Sequence, residues 1–121
     1  MEMEFELSGH DGEVLVVRLP RDLTHESAES LRQTVARRLP NREDAGVVLA
    51  MAAVELISSI GIAALLQVRE LCEDRRAPLI LAAMPDRQVG FLRMLKLDRK
   101  FAFAPTVNDA VAQASGGLGR A

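Results

Sequence analysis

Two continuous apolar runs, Gly46 to Met51 and Pro78 to Ala83, bracket a single amphipathic helical pattern from about Ile60 to Arg75. Apolar runs without polar alternation suit strands covered on both faces, as in a parallel sheet with helices above and below. Between them, Leu65, Val68, Leu71 and Cys72 recur at helical spacing, and Glu70, Glu73, Asp74 and Arg75 take the opposite face. Strand, helix and strand in that order predict a parallel pair joined by a right-handed crossover, which no all-α or all-β arrangement supplies.

The flanking segments extend this unit. Met3, Phe5 and Leu7 alternate with Glu4, Glu6 and Ser8, and a turn around Gly9 to Gly12 leads into Val14 to Leu19, so a hairpin is predicted with a half-exposed first strand and a more buried second. Pro20 ends that strand, and either Asp22 or Thr24 can cap the helix that follows. Ala28, Leu31, Val35 and Leu39 give this helix one apolar stripe, and Pro40 closes it. Pro85 suits the first turn of a third helix carrying Val89, Leu92 and Leu95 inward. Phe101 to Phe103 reads as a short strand, and Thr106 with Asp109 opens a last helix over Val107 to Ala114. The fold class is therefore α/β: a mixed β-sheet of four to five strands with an N-terminal hairpin, covered by about four α-helices. One domain is expected over residues 1–114. Residues 115–121, Ser-Gly-Gly-Leu-Gly-Arg-Ala, are too poor in apolar side chains to dock and are expected to form a flexible tail.

Composition narrows the function. At 121 residues the chain can bury roughly two-thirds of its unfolded surface, enough for one core. Its formal charge of −2 comes from 15 basic and 17 acidic side chains scattered among one another, which leaves no basic face for a phosphate backbone. Trp and Tyr are absent, so stacking platforms for single strands are lacking too, and nucleic acid is not expected as a partner. No apolar run approaches the roughly 20 residues that span a bilayer, so no direct membrane insertion and a cytoplasmic location are expected. Cys72 lies in a helical apolar pattern and reads as a small core residue. His10, in the predicted turn, and His25, at a helix start, each lack a neighbouring Cys or second His, and Gly61 has no following Lys to make a phosphate loop. No catalytic residue, metal or cofactor is expected.

The junction between the central strand and its helix carries the functional signal. Val54-Glu55-Leu56-Ile57-Ser58-Ser59-Ile60-Gly61-Ile62 places two adjacent serines where an apolar helix begins. One hydroxyl suffices to cap a first-turn N–H. A second serine in the first turn sits at the positive end of the helix dipole, where an added phosphate is well tolerated. Either serine can take the cap and leave the other for modification.

The same segment resembles the signature of the STAS family, the anti-sigma factor antagonist domains. That signature runs roughly Val-x-Phe-Met-Asp-Ser-Ser-Gly-Leu. Val54 falls on its Val, Leu56 and Ile57 on its apolar pair, Ser58 on its Asp, Ser59 on its phosphorylated Ser, Ile60 on the next Ser or Thr and Gly61 on its Gly. The resemblance extends from about Phe5 to Ala114: Pro78 to Ala82, Pro85 to Leu95, Leu97-Asp98, Phe101 to Phe103 and Thr106 to Val111 follow the family's order of strand, helix, corner, strand and helix. Two acids of the family pattern are missing, since Ala50 ends the central strand and Ser58 replaces the Asp.

The resemblance implies a STAS-like fold and a regulatory protein that binds an anti-sigma factor with serine-kinase activity. Phosphorylation of Ser59, or of Ser58, would act as the switch. Ile57, Ser58, Ser59, Ile60, Gly61 and Ile62 are the implied partner-binding residues, with Val89 or Met94 on the next helix extending the apolar patch. A monomer or weak dimer is expected. The missing acids favour an alternative, a non-phosphorylated STAS adaptor in a signalling scaffold or transporter complex. A small enzyme or nucleotide-binding module would rest only on the rule that open sheets bind ligands at strand ends.

Overall fold

The structure, a computed structural model, describes residues 2–116. A five-stranded mixed sheet runs in the order β1-β2-β4-β6-β7, formed by Phe5–Ser8 (β1), Val14–Arg18 (β2), Gly46–Ala50 (β4), Leu79–Ala82 (β6) and Ala102–Ala104 (β7). Only β1 is antiparallel to its neighbour, with Phe5 opposite Val17 and Ser8 opposite Val14. All other ladders are parallel. The two apolar runs of the sequence are adjacent central strands, with Val47 opposite Leu79 and Ala50 opposite Ala82.

Alternation across these strands divides two cores. Leu15, Val17, Val47, Leu49 and Leu81 face α1 (His25–Arg38), α2 (Ser59–Asp74) and α3 (Asp86–Met94). Val14, Val16, Val48, Ile80 and Ala82 face α4 (Val107–Gly116) through its Ala110 and Ala114. The predicted α/β architecture, with its N-terminal hairpin and four helices, is thus the one found. The hairpin turn is tied from inside by Glu13, whose buried carboxylate accepts the Asp11 N–H at 2.8 Å.

Local expectations need correction in four places. Periodicity did not reveal a second, two-stranded parallel sheet, β3 (Asp22–Leu23) with β5 (Leu56–Ile57), because two residues carry no pattern. Leu95 is 44 % exposed rather than inward, since α3 stops at Met94 and the chain turns through Lys96 at φ 62°. On α3 the buried residues are Leu92 and Gln88, with Val89 only half-buried. Finally, α4 continues through Ser115 and Gly116, two residues into the expected tail; residues 117–121 lie outside the described residues.

Candidate functional site

The strand-to-helix junction is fastened from three sides. The Met51 N–H donates to the Ala82 carbonyl at 2.9 Å, and Val54 closes a turn back onto Met51 at 3.0 Å. From the β3 side, the Arg21 carbonyl accepts both the Glu55 and Leu56 N–H groups, at 2.7 and 3.1 Å, and the Leu23 carbonyl accepts the Ser58 N–H at 3.0 Å. From α3, the Gln88 side-chain amide donates to the Glu55 carbonyl at 2.9 Å. The Arg21 guanidinium also lies 3.2 Å from Glu55 and 3.6 Å from Asp22, an exposed network that contributes little to stability but fixes which charges stand beside the junction.

Within this frame the two serines separate. Ser58 is the N-cap of α2: its Oγ accepts the Gly61 N–H at 3.2 Å, and its hydroxyl lies 3.4 Å from the Leu23 carbonyl. Asp and Ser are comparable N-cap residues. Ser58 therefore keeps the cap that an aspartate would supply, without the negative charge and with a hydroxyl donor toward the Leu23 carbonyl that a carboxylate lacks. Ser59 is the first helical residue, exposed, and its hydroxyl has no hydrogen-bond partner among the described residues. Nothing in the helix needs that oxygen, so its modification costs no native hydrogen bond.

The other implied contact residues divide by burial. Ile60 is 49 % exposed and Ile62 half-buried, whereas Ile57 and Gly61 are buried. Ile57 points inward because β5 alternates, and Leu56 takes the outward place at 52 % exposure. An approaching surface therefore meets Leu56, Ser59 and Ile60. Met94 is exposed, at the far end of α3 from Pro85. Ala50, at the end of β4, is buried and offers no charge.

Features that spacing alone hid complete the site. The faces of α1 and α2 that meet form a groove of about 330 Å³ lined by His25, Glu29, Arg32, Ser59, Ile60 and Gln67, over a floor of alanines. Arg32 pairs with Glu29 along α1. The sequence signal was the Glu29/Arg32 spacing, but which helix would lie against them was not readable. Buried Gln88 was likewise missed, since a polar residue in an apolar stripe reads as solvent-facing. Burial pushes the Cys72 thiol up to about 12, so it is not a ready nucleophile. Among the described residues there is no group of three or more His, Cys, Asp or Glu that could hold a metal, and no helix long and apolar enough to cross a membrane.

Comparison with known proteins follows the same line. A family model, STAS domain, matches residues 5–110. No curated protein sequence matches the chain. Among solved structures, a Thermotoga maritima protein assigned by inference as an anti-sigma factor antagonist superposes with a TM-score of 0.75 at 16% identity, covering 93% of each chain. A sulfate transporter family protein from Wolinella succinogenes gives a TM-score of 0.63 at 25% identity, over 84% of this chain and 83% of the other.

Proposed function

We propose that this chain, which belongs to the STAS domain family, is a regulatory binding protein of the anti-sigma factor antagonist kind. It docks on an anti-sigma factor with serine-kinase activity through the start of α2, in the cytoplasm, and phosphorylation of Ser59 releases it. The observation that carries this reading is the division between the serines: Ser58 is spent on the cap, while Ser59 is exposed and unbonded beside exposed Leu56 and Ile60. The Thermotoga maritima neighbour supports the class through its fold. Among the described residues the serine and threonine hydroxyls that donate hydrogen bonds do so to backbone carbonyls, not to a histidine or carboxylate base, and a regulatory rather than catalytic role is what the family suggests.

The energetics suit a switch. A phosphate adds about −1.5 to −2 charges, and burying it unpaired against an apolar partner costs several kcal/mol. A micromolar complex is worth only about 8 kcal/mol. Phosphate at Ser59 can therefore abolish binding and leave the fold intact. Ser59→Asp should weaken capture of the kinase partner from the native cytoplasm, and Ser59→Ala should keep it; equal capture by Ser59→Asp and wild type sinks the switch.

A second reading, a non-phosphorylated adaptor in a scaffold or transporter complex, is favoured by one observation: Ala50 and Ser58 leave the switch without the acids of the family pattern. Mass spectrometry of the native protein separates the two, because stoichiometric phosphate on Ser59 excludes the adaptor.

A further inference from the structure

We propose that a phosphate on Ser59 is held by the chain itself, in the groove between α1 and α2, where Arg32 leaves Glu29 to pair with it. The inference rests on Ser59 being the modified residue in the reading above and names how that modification is read. Ser59 and His25, the first residues of their helices, both line this groove, and Arg32 and Glu29 are its oppositely charged side chains. In the unmodified chain these two charges neutralise each other. The floor is built of Ala28, Ala63 and Ala64, which leaves about 330 Å³ open beside an unbonded hydroxyl.

A phosphoryl group on that hydroxyl brings three acceptor oxygens and close to two negative charges. Glu29 offers the same guanidinium a single negative charge. Arginine presents a planar fork that matches phosphate in two parallel hydrogen bonds, so the dianion displaces the carboxylate. The Gln67 amide and the His25 ring stand on the same walls as further donors. Ile60 lines the groove as well as the contact surface, so the phosphate occupies space beside a residue the partner must reach. The phosphorylated chain is then a defined closed state, with its charge turned toward α1.

The test uses the full chain with phosphoserine genetically encoded at position 59, which needs no kinase. The second ionisation of the phosphate is followed by phosphorus NMR in three backgrounds: otherwise wild type, Arg32→Gln and Glu29→Gln. Pairing with Arg32 should place that pKa about half a unit to one unit lower in wild type than in Arg32→Gln. Glu29→Gln should lower it further, by removing the competing carboxylate. Identical titrations in all three overturn the inference. Because Arg32 is 41% exposed in its side chain, its replacement leaves the core untouched. Binding of the partner by Ser59→Asp is measured separately, so failure of the switch and failure of the groove give different results.

Discussion

Gly61 and the Leu23 carbonyl approach so closely that a Cβ placed on Gly61 would lie 2.4 Å from the Leu23 oxygen. The same oxygen receives the Ser58 N–H at 3.0 Å and stands 3.4 Å from the Ser58 hydroxyl. One carbonyl of β3 thus seats the whole first turn of α2, and it sets where Ser59 emerges.

Gly61→Ala should therefore destabilise the protein although alanine is the better helix former. Overpacking against backbone costs about 1–3 kcal/mol, and propensity returns at most about 1 kcal/mol. A net loss of about 1–2 kcal/mol should appear as a lower urea midpoint. An unchanged or raised midpoint would show that α2 lifts off Leu23 freely.

The two serines should respond oppositely to truncation. Ser58→Ala removes the acceptor for the Gly61 N–H and should cost about 1 kcal/mol, while Ser58→Asp keeps that acceptor, gives up the hydroxyl donor to the Leu23 carbonyl, and should cost less than Ser58→Ala. Ser59→Ala touches no hydrogen bond and should stay within about 0.5 kcal/mol of wild type. Denaturant melts of the three variants check the assignment. A cost at Ser59 equal to that at Ser58 would overturn the division between them, and a cost at Ser59 alone would reverse the roles.

The reach of the sequence is clear from these residues. Val47 to Met51 and Leu79 to Ala82 announced buried parallel strands because continuous apolar runs have few other uses. The serines at the start of α2 were equally legible, because capping is a local interaction between residues three apart. Which serine caps was not, since that choice depends on Leu23, a residue 35 positions away from Ser58. The same limit hid Gln88 and the groove: Arg32 and Ser59 line one groove only because α1 and α2 pack together, and pairwise helix packing leaves no mark in either helix alone.

Glu13 should govern part of the acid stability. The Asp11 N–H above all, with those of Glu13 itself and His10, holds its carboxyl below the ordinary value of 4.5 despite burial acting the other way. A folded-state pKa that is depressed gives stability that is complete above the unfolded value and is lost as pH falls through the folded one. Glu13→Gln should therefore lower stability at neutral pH by about 1–3 kcal/mol and flatten its decline below about pH 4.5. Glu2 and Asp44 are lowered as well, by Arg38 and Arg42, but these exposed pairs are screened by salt and the backbone N–H groups around Glu13 are not. Stability followed against pH at high salt isolates the Glu13 contribution. An acid limb equally steep in wild type and Glu13→Gln under those conditions would assign it elsewhere.

Gln88 should act on the junction rather than on the core. Its amide is the one side-chain donor to the Glu55 carbonyl among the described residues, and it reaches that oxygen from α3 at 2.9 Å. Gln88→Leu keeps the side chain's bulk and its helix propensity but leaves a part-buried carbonyl without its donor, a loss of about 1–2 kcal/mol. Because Glu55 and Leu56 remain bonded to the Arg21 carbonyl, the segment should loosen locally and stay attached to β3. Amide exchange should therefore quicken at Val54 to Ser58 while the protection of β4 and β6 stays that of wild type. If the proposed switch operates through this junction, partner affinity should fall with the loosening, since the contact surface of Leu56, Ser59 and Ile60 must then be ordered on binding. Uniform acceleration across the sheet would instead make Gln88 an ordinary core residue, and unchanged exchange at Val54 to Ser58 would show that Arg21 and Leu23 alone hold the site.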